Sequence, residues 1–342
     1  MGGDTVAITG FGMEVPGLSD IGALLTLAPL SSREFDPAPR LGHKGLRYKD
    51  RATQLALCAV QDALGRAQWP LAESDLSEGT GVVVSSNLGN ADTVCRMVQT
   101  VRDGSTRNLS VMDAPNASSN VIASTIAIRH GYRAANLTLC NGATSGIDAL
   151  YTAANMIRSD RARRVIVVGV EPSNEIVQRL MEESHVQSGG VTPAPHVGEG
   201  AACIILEAAS HAADRGVACY GTLLDYRHFP DGIAKDALRR HLLSSDRDPP
   251  SLWLVPNRSW LDARSIIDNI REAWDGRGPD ILDLSSKVGD LYGALGVFQC
   301  VAACLWFLEQ AVVSKGIIMG ALMTAGGTWG DGIASMLVRS FP

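Results

Sequence analysis

The sequence predicts an α/β protein made of two duplicated lobes, each with a five-stranded, mostly parallel sheet. Three observations carry this. Continuous apolar runs such as Gly81 to Ser86 and Arg164 to Val170 read as strands covered on both faces, as in buried parallel sheets. Stretches with helical apolar spacing lie between them. The second half then repeats the rhythm of the first, which marks an internal duplication. No low-complexity linker separates the halves, so residues 1–208 and 209–342 are expected to be fused lobes rather than independent modules.

Taken in order, Val6 to Gly10 is a short apolar strand, and Pro16 with Gly17 marks a turn. Ser31 to Lys49 is polar, contains Pro and Gly and reads as loop. Leu55, Ala59 and Ala63 share one face of a helix over Arg51–Ala67. After the strand at 81–86, a short helix over Asp92–Val101 carries Val94, Met97 and Val98 on one face. A helix from about Asn116 to His130 leads into a strand at 137–140, a helix over Thr144–Arg158, a strand at 164–170 and another at 201–208. The second half predicts strands at 219–226, 252–255, 281–284, 317–322 and 333–339, with helices at 235–243, 261–274 and 291–310.

Composition bounds the function. With 342 residues, 46% of them hydrophobic, the chain can bury a large core. A net charge of −6 with scattered Lys and Arg argues against nucleic acid or an anionic membrane as partner. The longest apolar run, Leu291 to Leu308, contains Gln299 and small residues and reads as a buried helix rather than a membrane span. The N-terminus shows no secretory pattern. The seven cysteines form no CxxC pair and read as reduced, buried thiols, so a cytoplasmic protein without zinc is expected. The histidines show no metal-ligand spacing, and no cofactor site is recognised.

The stretch with chemical character is Leu137 to Leu150, LTLCNGATSGIDAL: a strand, a small-residue turn and a helix. The turn lies at a helix N-terminus, where free N–H groups and the helix dipole favour negative charge. A cysteine there would be held as a reactive thiolate. Position 143 is alanine. Cys140, three residues earlier, is expected to point into packing, and Ser145 lacks the GxSxG spacing of a hydrolase elbow.

Five stretches, in the right order, resemble one family. They are the opening VAITGFGMEVP; Tyr48-Lys49-Asp50-Arg51 with Thr53-Gln54-Leu55; His130-Gly131-Tyr132-Arg133 before the turn; Gly198-Glu199-Gly200-Ala201 with Ile204-Ile205-Leu206-Glu207; and Arg215-Gly216. Together they resemble the β-ketoacyl-ACP synthases of the thiolase fold, over nearly the whole chain. That resemblance implies a layered αβαβα arrangement and a chemistry needing one cysteine and two histidines, for acyl transfer and for decarboxylation with enolate stabilisation. Position by position, the cysteine falls on Ala143, the first histidine on Asn257 and the second on Asp290. The family lysine upstream falls near Lys287, for which an ion pair with Asp290 is expected. The gating loop falls on Ala325 to Gly330, with Trp329 in place of its aromatic.

Asparagine is no proton shuttle near neutral pH, and an ionised aspartate repels an enolate. The loss of all three groups resembles the chain-length factor of type II polyketide synthases, an inactive chain that pairs with an active ketosynthase and shapes its acyl tunnel. The resemblance thus implies an active paralogue and, through the complex, an acyl carrier protein as partners. It places Val94, Met97, Val98, Met112, Asp113 and Trp329 along the tunnel. Members of the aromatic branch carry glutamine where this chain has Ala143, which leaves the polyene branch open. The alternatives are an acyltransferase or cyclase with a relocated nucleophile such as Cys140, an engineered Cys-to-Ala form of an active ketosynthase, or a pseudo-enzyme homodimer that binds acyl chains without a catalytic mate.

Overall fold

The computed structural model describes residues 5–26, 30–31, 34–68, 77–187, 196–243, 250–256, 278–314, 317–327 and 332–341. Asn257, Trp329 and the helix expected at 261–274 lie outside them. Ten strands form one hydrogen-bonded sheet: β1 (Val6–Glu14), β2 (Thr80–Ser85), β3 (Asn136–Leu139), β4 (Arg164–Glu171), β5 (Gly200–Ala208), β6 (Gly221–Phe229), β7 (Leu252–Leu254), β8 (Asp280–Leu282), β9 (Gly320–Gly326) and β10 (Ile333–Arg339). Their order is β3-β2-β4-β5-β1-β6-β10-β9-β7-β8. Read outward from the centre, the halves are the same series: 1-5-4-2-3 and 6-10-9-7-8. In each half three strands run parallel and the next two alternate, β4–β5–β1 and β9–β10–β6 being antiparallel pairs. The duplication is therefore present in the topology. The halves join where β1 pairs with β6.

The principal helices are α1 (Arg51–Arg66), α2 (Ala91–Asp103), α3 (Val121–His130), α4 (Ser145–Arg158), α5 (Glu175–Gln187), α6 (Ala234–Leu243) and α7 (Leu295–Ser314). Asp50 caps α1 by accepting from the Thr53 amide at 2.8 Å, which satisfies one of the first-turn donors. Helices α4 and α7 each touch strands of both halves and form the middle layer. Their apolar faces make the largest core with β1, β4 and β5 on one side and β7, β9 and β10 on the other. On the outer faces, α1 and α3 cover the first half and α6 the second. Helix α7 is long and apolar enough to cross a membrane, yet Val297 to Cys304 are wholly buried in this core.

Several element boundaries differ from the sequence expectation. The polar stretch 31–49 contains a helical turn at Ala38–Leu41 and another at Leu46–Tyr48. Helix α3 starts only at Val121, because Pro115 lies in a separate turn at Ala114–Ala117. Helices α4 and α7 are each entered through a tight turn, Gly142–Thr144 and Tyr292–Ala294. Helix α5 was passed over in the sequence, although Ile176, Val177, Leu180 and Met181 have helical spacing; of these Val177 and Met181 are buried.

Candidate functional site

Strand β3 ends at Leu139, and the chain turns through Gly142, whose φ of +87° favours a residue without Cβ. Ala143 follows, buried, one turn before the body of α4. Ser145 is structural: its hydroxyl donates to the Gly142 carbonyl at 2.7 Å and accepts from the Asn141 amide at 2.9 Å. Asp148, in the first turn of α4, accepts from Thr144 Oγ1 and from the Tyr226 hydroxyl, both at 2.7 Å, and from Asn141 Nδ2. Tyr226 in turn stacks on Tyr151, ring centroids 3.9 Å apart.

The second turn is built alike. Asp290 is buried; its amide donates to the His196 carbonyl and its own carbonyl accepts from Gly198, both at 2.8 Å. Its Oδ1 accepts from the Tyr292 amide at 2.8 Å. The expected ion pair with Lys287 is not formed. The lysine donates instead to the carbonyls of Ala23 and Thr26, since the helical turn Ser285–Val288 carries it away from Asp290. The turns holding Ala143 and following Asp290 pack on each other, and their helices meet at two glycines. A Cβ on Gly296 would come within 2.4 Å of the Ile147 amide, and one on Gly146 within 2.8 Å of the Gly296 amide. Gly326, ending β9, reaches Thr144. The structure thus brings Ala143 and the Asp290 turn together at the carboxyl ends of the strands, where α/β folds place ligands.

Two residues that the sequence reading passed over brace this point. Asn87, just past β2, accepts from the Gly142 amide at 2.9 Å and donates to its carbonyl at 3.1 Å. Glu171, ending β4, accepts from the Asn87 and Leu88 amides at 2.7 and 2.9 Å. Burial pushes its pKa up to about 7, against the hydrogen bonds from Asn87 and Leu88 that lower it. The available signal was a carboxylate closing a wholly apolar strand, which must find donors.

Cys140 departs from expectation. It lies just beyond β3 and is exposed, not packed. Its thiol donates to the Ser86 carbonyl at 3.1 Å, and burial, then the charge of Glu171, raise its pKa. Cys95 is also exposed, whereas Cys58, Cys203, Cys300 and Cys304 are buried.

Helix α2 presents Val94, Val98 and Val101 to solvent, 38%, 62% and 41% exposed, with Met97 half-buried beside them. Met112 is exposed and Asp113 half-buried in the following turn. From α2, contacts run through the 114–117 turn and α3 to β3, an edge strand with exposed Leu137, and on to α4. Nor are the cations wholly scattered. His43, Lys44 and Arg47 are exposed together, and Arg129 donates to the Leu41 carbonyl at 3.2 Å beside them. Arg51 is neutralised by a two-pronged pair with Glu199, at 2.6 and 2.7 Å.

The β-ketoacyl synthase N-terminal domain model matches residues 30–212. The mitochondrial 3-oxoacyl-[acyl-carrier-protein] synthase of Arabidopsis thaliana is 24% identical over 241 residues, 66% of this chain, and the chain spans 50% of that relative's length. A type II polyketide ketosynthase in complex with its acyl-carrier protein superposes with a TM-score of 0.78 at 17% identity, covering all of both chains. The ishigamide ketosynthase/chain length factor gives 0.77 at 15%, again over both whole chains. At these identities the structural likeness concerns the fold.

Proposed function

Because the chain belongs to the β-ketoacyl synthase family, we propose that it is a non-catalytic member, a chain-length-factor-like subunit of a type II polyketide or polyene synthase. One observation carries this reading. The position where the fold would activate a nucleophile, at the start of α4, holds the methyl of Ala143, while the bracing around it is complete. A buried Asp290 adjoining the same place is unsuited to enolate chemistry. The relocated-nucleophile reading is disfavoured by Cys140, whose raised pKa keeps it a thiol.

The surface supports pairing. An edge strand offers unpaired backbone groups, and the valines of α2, linked to it through the 114–117 turn and α3, are apolar and exposed. In this reading β3 pairs with the equivalent strand of an active ketosynthase, and Val94, Met97 and Val98 close the far end of its acyl tunnel. The basic segment at His43–Arg47 is suited to an acidic carrier protein arriving at the complex.

The test is co-expression with a cysteine-bearing ketosynthase paralogue and a carrier protein. A heterodimer is expected, inactive when the mate's cysteine is replaced. In it, Met97→Ala should lengthen the main product and Val94→Trp shorten it, read by product mass. A stable acyl thioester on this chain itself, mapped by intact mass and digestion, overturns the reading.

A further inference from the structure

A cavity of about 440 Å³ lies between the two halves, lined by residues apart from the Ala143 turn. One wall comes from the segment after β1, with Leu24, Leu25 and Leu30. The facing wall comes from the end of β8 and the helical turn behind it, with Leu282 and Val288. Leu24 and Val288 are buried. Leu25, Leu30 and Leu282 pack against the main core yet stay only partly buried, because their other sides face the cavity. Small-molecule sites have volumes of about 300–1,000 Å³, are mostly apolar with a few polar groups, and favour junctions of this kind.

One charge in the lining has no ion-pair partner among the described residues. Lys287 donates to the Ala23 and Thr26 carbonyls, the second at 2.8 Å, and reaches Thr26 Oγ1 only at 3.4 Å. The charge of Asp20 acts on it from further away. The polar groups beside it are engaged locally. Asp283 Oδ1 accepts from the Ser285 amide at 2.9 Å and from its hydroxyl at 2.6 Å. Ser286 donates to the Asp283 carbonyl at 2.7 Å, and the Thr26 hydroxyl to the Ala23 carbonyl at 3.1 Å. We infer that this cavity binds a small amphipathic anion, a single carboxylate on a short aliphatic body, seated between the halves.

Each part of such a ligand has its place. The leucines of both walls cover the aliphatic body, which completes their burial. The carboxylate becomes the third acceptor of the Lys287 ammonium, in place of the long contact to Thr26 Oγ1. Charge-assisted bonds of this kind are shorter and stronger than neutral ones. Asp283 repels a carboxylate, so the anion enters in one orientation, head at Lys287 and body on the leucines. A neutral ligand of the same shape keeps the body's contacts and loses the head's, and a cation meets the ammonium. The site is built from this chain alone and does not rest on the chain-length-factor reading.

The experiment takes octanoate as the probe and the full chain as the protein, by calorimetry and by methyl NMR of leucine-labelled protein. Octanoate should bind at one saturable site and shift the methyls of Leu25, Leu30 and Leu282. Octan-1-ol should bind there about tenfold more weakly, the weight of one charge-assisted hydrogen bond. Octylammonium should not compete. Lys287→Gln keeps N–H donors for the two carbonyls and removes the charge. It should bring octanoate down to the affinity of octan-1-ol and leave octan-1-ol unchanged. Leu25→Trp, which fills the cavity from a partly buried position, should abolish binding of both. Absence of saturation, shifts confined to other methyls, or undiminished octanoate binding to Lys287→Gln or Leu25→Trp overturns the site. Should the variants not fold, the wild-type ranking decides, and equal affinity for octanoate and octan-1-ol overturns it.

Discussion

The turn before α4 and the turn before α7 occupy matching places in the duplicated halves, yet they are held by different means. Around Gly142–Thr144 the bonds come from side chains: Asn87, Ser145, Asp148 and, through Asn87, Glu171. Around Tyr292–Ala294 they come mostly from backbone, with His196 and Gly198 flanking Asp290. The strand ends differ in the same way. Asn87 and Glu171 tie β2 to β4, whereas a single buried residue of α7, Gln299, donates to Leu254, Val255 and Thr324 carbonyls at the ends of β7 and β9. A site is over-determined where several polar side chains converge. The first turn is held by converging side chains around Ala143, and the second mainly by backbone hydrogen bonds among the described residues.

The most disruptive way to break the comparison is to push the two turns apart. A methyl at Gly296 would press on the Ile147 amide, which is backbone and cannot swing aside. Overpacking of this kind destabilises by about 1–3 kcal/mol, more where backbone must move. Gly296→Ala should therefore lower stability by about 3 kcal/mol, measured as the urea midpoint at unchanged slope. Full stability would mean that the helices do not meet as described.

A smaller effect separates the two modes of bracing. Gln299→Leu removes the Gln299 bonds that tie β7 and β9 to α7 and leaves buried carbonyls short of a donor, at about 3 kcal/mol or somewhat less. Asn87→Ala should destabilise less, about 1–2 kcal/mol, because Glu171 still holds the Asn87 and Leu88 amides. Paired denaturation curves check the ranking. The reverse order would place the principal brace at the first turn.

Much of this was written in the sequence, and what was missed follows a pattern. Apolar runs such as Arg164–Val170 and the helical spacing of Arg51–Arg66 declare themselves, because burial imposes a period on them. The turn at Gly142–Ser145 was visible for the same reason, since small residues were needed between strand and helix. Asn87 and Glu171 were not, because their role depends on partners 55 and 84 residues away. Helix α5 was missed although Ile176, Val177, Leu180 and Met181 have helical spacing, and the exposure of Cys140 depends on β3 being an edge, which local sequence does not state. The carry-over that put Lys287 beside Asp290 failed because a helical turn redirects the chain between them.

The mildest change is also the sharpest on chemistry. Ala143→Cys adds one sulfur at the start of α4, in a turn whose bracing leaves the backbone unchanged, so stability should shift by less than about 1 kcal/mol. The helix terminus favours the thiolate, which should bring the new thiol below the usual value of about 8.5. The nearby Glu171, which already disfavours the Cys140 thiolate, opposes this. If the braced turn alone makes a nucleophile, the variant should become acylated by acyl-carrier-protein thioesters, seen as a stable mass increment mapping to position 143. In the non-catalytic reading proposed above, condensation should still be absent, because a buried carboxylate at Asp290 is unsuited to stabilising an enolate. Acylation without condensation would assign the two halves of the chemistry to the two turns. Condensation by Ala143→Cys alone would show that the turn at Asp290 is more than scaffold.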